Sequence, residues 1–176
     1  MDKLAFCPVC GSDRFAINSD NSKKCEACGF EFFMNASSST VAIITDSEGR
    51  ILVERRKHDP AKGTLDLPGG FIAHNETAEE GVRREVMEET GLAVASSRYM
   101  FSLPNVYHYS GIDIHTLDLF FECKVDDCGT LHAGDDAAEC MWIDPQHIDP
   151  SLFGLHSISK GLKMYLQHLQ CKPKER

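Results

Sequence analysis

Gly70-Phe71-Ile72-Ala73-His74-Asn75-Glu76 runs on to Arg84-Glu85-Val86-Met87-Glu88-Glu89-Thr90-Gly91-Leu92, and the fold of the chain is decided there. As a pattern it reads G-x5-E-x7-R-E-V-x-E-E-x-G-L, with nine specified positions over 23 residues. Thr77-Ala78-Glu79-Glu80 is a capping box: the threonine hydroxyl can accept the amide three residues on while Glu80 reaches back. The spacing therefore predicts a helix from about Ala78. Gly91 is suited to end it, since a left-handed residue commonly closes a helix. Between these ends Ala78, Val82 and Val86 recur every four residues and form an apolar stripe. Glu85, Glu88 and Glu89 share another face at i, i+3 and i+4.

Three carboxylates on one helical face repel, destabilise the helix and raise one another's pKa. A hard divalent cation removes that cost, because Mg²⁺ takes a few carboxylate oxygens and completes its shell with water and substrate phosphate. Arg83 and Arg84 leave a second option open, an ordinary solvated row of charges. The preceding Leu67-Pro68-Gly69-Gly70 favours the cation, because paired glycines let backbone groups approach an ion or a phosphate with no Cβ in the way.

Over roughly residues 40 to 150 this pattern resembles the Nudix hydrolases. That resemblance implies an α/β fold, the α/β/α sandwich around a mixed sheet. It also implies an enzyme that cleaves a nucleoside diphosphate linked to another group, using water activated by Mg²⁺ or Mn²⁺. It further implies Glu85, Glu88, Glu89 and the Gly70 carbonyl as metal ligands, with Arg84 and Glu76 as an ion pair steadying the loop and helix.

Cys7-Pro8-Val9-Cys10 and Cys25-Glu26-Ala27-Cys28 are two C-x-x-C knuckles separated by 14 residues. Four thiolates so spaced suit a tetrahedral zinc site closed to substrate and therefore structural; two disulfides, a redox pair and buried thiols are the alternatives. Lys23 and Lys24 are placed to soften its charge. Residues 1–34 hold too few apolar side chains for a core of their own and so would depend on zinc. Ala36-Ser37-Ser38-Ser39 reads as a linker, and residues 40–171 as the hydrolase domain.

At 176 residues and 42% hydrophobic, the chain has enough material for one sizeable core and one small module. No apolar run is long enough to cross a membrane, Met1-Asp2-Lys3 does not open a signal peptide, and the cysteine usage suits a reducing cytoplasm. A net charge of −9 argues against an extended nucleic-acid surface. A small nucleotide is a different matter: local bases such as Arg55, Arg56 and Lys57 could hold it, or could simply be a solvated strand end.

Thr40-Val41-Ala42-Ile43-Ile44 and Ile51-Leu52-Val53 flank Asp46-Ser47-Glu48-Gly49 and predict a hairpin. A long strand is expected over Ile112 to Val125 with Ile114, Thr116, Asp118 and Phe120 on one side, a short one at Met141-Trp142-Ile143, and a core-covering helix over His156 to Leu169. Asp135, Asp136 and Glu139 resemble the family's acidic loop, which makes Glu139 the candidate general base, although a plain solvated loop has the same composition. His108, His115, His132 and His156 show no paired spacing and are expected to be structural or solvent-facing.

A zinc ribbon before this pattern is similar to the NADH pyrophosphatases, and the departures from them are two. No counterpart of their extra N-terminal domain is expected ahead of the ribbon, and where they carry S-Q-P-W-P-F-P-x-S this chain has Ser102-Leu103-Pro104-Asn105-Val106-Tyr107-His108-Tyr109-Ser110. Tyr107 and Tyr109 remain as rings able to stack on a base. The expected substrate is a dinucleotide such as NADH, ADP-ribose or a nucleotide sugar. The runner-up activities are nucleoside triphosphate pyrophosphohydrolysis and nucleotide sensing by a binding module recruited through the ribbon. Nudix enzymes of this kind are often dimers, which leaves monomer and homodimer both open.

Overall fold

Alternation along two inner strands sets the architecture. In the computed structural model, which describes residues 3–125, 131 and 137–171, strand β4 (Ser37–Ile44) buries Val41 and Ile43 in one apolar cluster and Ala42 and Ile44 in another. Strand β5 (Ile51–Arg56) does likewise, sending Ile51 and Val53 to the first cluster and Leu52 to the second. Successive strand residues point to opposite faces, so strands apolar on both have to be covered on both.

Helix α1 (Ala78–Thr90) covers one side through Val82 and Val86, and helix α2 (His156–Cys171) the other through Ile158, Leu162 and Tyr165. Burying each of those valines contributes roughly 1.5–3 kcal/mol. The capping box forms as the sequence predicts, with Thr77 accepting from the Glu80 amide and Glu80 accepting from the Thr77 amide; Gly91 closes the helix at φ 73°.

The strands between the helices form two three-stranded sheets. One is mixed: β8 (Ile112–Val125) pairs in parallel with β4 and antiparallel with β7 (Val94–Tyr109). The other is antiparallel, β5 lying between β6 (Leu65–Asp66) and β9 (Ala137–Ile143). The expected α/β/α arrangement therefore holds, with one of its two sheets mixed.

Two local expectations are corrected. Ser37-Ser38-Ser39 is not a linker but the first half of β4, paired with Thr116-Leu117-Asp118. Small hydroxylated residues read as a spacer, yet here they lie opposite β8 and use a hydroxyl to bond it. The predicted hairpin also stops at its turn. Asp46 donates its amide to the Arg50 carbonyl and Gly49 sits at φ 78°, but only Thr45 and Ile51 bridge. Beyond them the strands part into separate sheets, β4 pairing with β8 and β5 lying between β6 and β9.

The N-terminal part is a small antiparallel sheet of β1 (Phe15–Ile17), β2 (Ser22–Cys25) and β3 (Glu31–Phe33). Its buried cluster is only Cys7, Phe15 and Cys25, with Phe30 and Phe32 packed against it. Lys23 donates to the Leu4 carbonyl and lies over the Phe15 ring. Lys3 donates to the Gly111 carbonyl in the turn between β7 and β8. No described helix is long and apolar enough to cross a membrane.

Candidate functional site

A cavity of about 640 Å³ opens where the two sheets and α1 meet. Glu85 and Glu89 of α1 line it beside Gly69 and Gly70; Glu54 and Arg56 of β5 and Asp66 of β6 enter from the antiparallel sheet. Asn105, Tyr107 and Tyr109 of β7 and Thr116 and Asp118 of β8 form the wall made by the mixed sheet.

The carboxylates at the α1 end are held and crowded. The Gly69 amide donates to Glu89 at 2.8 Å, while burial, the Glu54 carboxylate and then Glu85 push the Glu89 carboxyl up to about 10. Burial likewise raises Glu85. A Cβ on Gly70 would stand 2.6 Å from the Glu85 carboxyl carbon, so only glycine lets that carboxylate rest on the loop. The Gly70 carbonyl accepts the Thr40 amide at 2.8 Å and keeps one lone pair for another partner.

Arg84 ties this end together. It grips Glu76 with two bonds of 2.8 and 2.9 Å, donates to Glu85 at 2.7 Å and Glu88 at 3.1 Å, and reaches the Phe71 carbonyl at 3.0 Å. These bonds, the guanidinium first, lower Glu76 to about 2. Because Arg84 stands between Glu85 and Glu88, the Glu88 carboxylate is drawn to the surface, 58% exposed and outside the cavity. Among the described residues, only the four cysteines bring three or more potential metal ligands within 4.8 Å of one another.

Those thiols, Cys7, Cys10, Cys25 and Cys28, are all free, with contacts of 3.6 Å between Cys10 and Cys25 and 3.7 Å between Cys7 and Cys28. Such sulfur separations are far beyond a disulfide bond, about 2.05 Å, and suit four corners around one ion.

The far end of the cavity is polar below and aromatic at its rim. Asp118 is buried and accepts from three hydroxyls, those of Ser39, Thr116 and Ser157. Asp66, also buried, holds Arg56, whose other amino group donates to the Tyr107 hydroxyl at 3.1 Å. Phe71 meets Tyr107 edge-on at 5.8 Å and Tyr109 lies 6.3 Å from it, so three rings line one side.

Of the residues singled out from the sequence, Gly70, Glu85, Glu89, Tyr107 and Tyr109 come together here, with Arg84 and Glu76 directly behind them. Glu88 and two others lie outside. Arg55 points away from the cavity, donating to the Gly63 carbonyl at 2.9 Å and facing Glu139 at 3.5 Å. Glu139 is in β9 opposite Arg55, its side chain 59% exposed, and it is not among the residues that line the cavity. Asp135, Asp136 and His132 fall outside the described residues. Arg56, one of the three bases offered for a nucleotide, lines the cavity, whereas sequence reasoning missed Glu54, Asp66, Asn105, Phe71 and Asp118 as cavity residues. The signal for Glu54 and Arg56 was their spacing of two on a strand, which puts both on the face that Arg55 leaves.

A family model described as the NUDIX domain matches residues 36–162. The chain is 38% identical over 119 residues to the ADP-ribose pyrophosphatase of Methanocaldococcus jannaschii, covering 66% of this chain and 68% of that protein. It is 29% identical over 100 residues to the NAD-capped RNA hydrolase NudC of Haemophilus influenzae, where the match covers 56% of this chain but only 38% of the relative. The crystal structure of a NUDIX hydrolase from Nitrosomonas europaea superposes over 97% of this chain and 96% of its own, with a TM-score of 0.72 at 23% identity, a likeness of fold.

Proposed function

Since the chain belongs to the Nudix family, we propose that it hydrolyses the pyrophosphate linkage of a nucleoside diphosphate derivative, namely a dinucleotide, ADP-ribose or a nucleotide sugar. The supporting observation is the cavity itself, which is lined by crowded carboxylates and by three aromatic rings.

The carboxylate end fits a hard dication. Glu54 and Glu89 are buried, Glu85 is close by, and each disfavours ionisation of Glu89. Glu85, Glu89 and the free lone pair of the Gly70 carbonyl would hold Mg²⁺ or Mn²⁺, with Glu88 joining once Arg84 releases it. Bound there, the cation would neutralise the diphosphate and make a water more acidic. The chain's own residues do the rest. The Gly69 amide and Arg84 fix the carboxylates in place, and Tyr107, Tyr109 and Phe71 offer ring faces to a base. A proton leaving the attacking water has to pass to a carboxylate that reaches the cavity, as Glu54, Glu85 and Glu89 do and Glu139 does not.

Residues 1–34 would be a unit held by one Zn²⁺ on Cys7, Cys10, Cys25 and Cys28, serving folding. A reducing cytoplasm suits four free thiols in that arrangement. The test is to incubate purified protein and Mg²⁺ with NADH, NAD⁺, ADP-ribose, nucleotide sugars and nucleoside triphosphates in H₂¹⁸O. Two phosphate-bearing products with label on one product phosphate are expected from a diphosphate derivative. Turnover confined to triphosphates would overturn the substrate class, and no turnover at all would overturn the activity.

A further inference from the structure

The polar groups around Asn105 are committed, and Asn105 is not. It lies on β7 only 7% exposed and lines the cavity, yet among the described residues no group hydrogen-bonds its carboxamide. Its cross-strand neighbour Thr116 donates to Asp118, and the next residue on its face, Tyr107, accepts from Arg56 through its hydroxyl. Leu103, on the other side along the same face, is apolar and buried. The β7 backbone is already paired with β8, so the side chain is not needed there. A carboxamide offers two donors and an acceptor side by side, and here they open onto the cavity and are left for a partner that enters it.

The partner has to enter through the cavity. Strand alternation puts Asn105 on the same face as Tyr107 and Tyr109, so its amide edge and their rings address one space.

We propose that Asn105 sets the specificity of this cavity, pairing its carboxamide with a substrate edge on which an amino donor stands beside an acceptor. The inference rests on the hydrolase reading above and adds to it the part of the substrate that is recognised. In ADP-ribose and the nicotinamide dinucleotides two groups carry that edge: adenine, with its 6-amino group beside a ring nitrogen, and the primary carboxamide of the nicotinamide. Asn pairs with an edge of this kind through two hydrogen bonds at once.

Two matched substrate pairs separate these sources. The first is ADP-ribose against its purine analogue lacking the 6-amino group; the second is NAD⁺ against 3-acetylpyridine adenine dinucleotide, in which a methyl replaces the carboxamide nitrogen. In one pair the wild-type protein should favour the parent by roughly tenfold or more in kcat/KM, the scale a paired contact supplies. Asn105→Leu should bring that ratio close to unity, and Asn105→Ala, which adds no bulk, should do the same. A residue that only supports the strand would change both members of a pair alike and leave the ratio intact. Unchanged ratios in both variants, or no wild-type preference in either pair, would overturn the role of Asn105 while leaving the hydrolase reading standing. A wild type that cleaves neither parent would overturn the role of Asn105, and one that cleaves no nucleoside diphosphate derivative at all would overturn the hydrolase reading as well.

Discussion

Glu89 is a carboxylate in a place that suits it only with a cation beside it. Burial and its acidic neighbours push it up to about 10, and its one strong local partner is the Gly69 amide. Glu89→Gln keeps shape and helix propensity while removing the charge, so turnover should fall by about 10²–10³, the usual loss when a charge-stabilising group is removed. The melting temperature of the protein in EDTA should not fall, because a carboxyl pushed that high is already neutral when no cation is bound and Gln replaces it shape for shape; wild-type turnover in the variant would sink the site assignment. Glu76 behaves in the opposite sense. Arg84 holds it at about 2 against an ordinary 4.5, so its contribution is present above the ordinary value and is lost as pH falls from about 4.5 toward 2. Melting curves between pH 6 and pH 2 should show wild type losing more stability than Glu76→Gln across that window, and parallel curves would mean the ion pair does not act. Tyr107 offers both a ring and a hydroxyl. Tyr107→Ala should raise KM more than it lowers kcat, since stacking far from phosphorus binds ground and transition states alike; Tyr107→Phe isolates the bond from Arg56.

Between β6 and α1 the loop is shaped by contacts that leave no room for a Cβ. At Gly69, with φ 152°, an added methyl would lie 2.0 Å from the Thr40 carbonyl oxygen, so Gly69→Ala should push the loop off β4 and lower the melting temperature. At Gly161 a Cβ would meet the Phe120 ring at 2.4 Å, and lifting α2 from the sheet by overpacking costs typically 1–3 kcal/mol. Denaturant unfolding of Gly69→Ala and Gly161→Ala with unchanged midpoints would contradict these contacts. The elements themselves were legible in unequal degree. Thr77, Glu80 and Gly91 announce α1 because caps are local, and Ile112 to Val125 announces β8 because its alternation is long. Ser37 to Ser39 did not announce a strand, since what makes them one is β8, far away in sequence, with Asp118 waiting for the Ser39 hydroxyl. The choice of Arg56 over Arg55 is likewise a matter of strand phase. Ile51-Leu52-Val53 is apolar on both faces, so the run hides which face turns to the cavity until its partners β6 and β9 fix it.

At the scale of the whole molecule, the cysteine cluster and the cavity are joined by a short strap. Lys23, next to the second knuckle, donates to Leu4, and Lys3 donates to Gly111 in the turn that follows Tyr109. The N-terminal sheet has an apolar core of only three buried residues, too little to persist without an ion on its four thiols, so removing the proposed zinc should release the strap and with it the brace on the cavity rim. The carboxylate end is held by Arg84 and the Gly69 amide and makes no use of the strap, so the chemistry should survive. Purified protein should therefore contain one zinc per chain, and Cys25→Ser should lose it, raise KM and leave kcat nearly unchanged. Lys3→Ala should reproduce the KM change with zinc retained, by about fivefold or less, the scale of an exposed charged contact worth up to roughly 1 kcal/mol. Elemental analysis and steady-state kinetics on the two variants decide it: a zinc-free wild type would remove the ribbon's metal, and a collapse of kcat in Cys25→Ser would mean that the N-terminal sheet supports the carboxylate end as well as the rim.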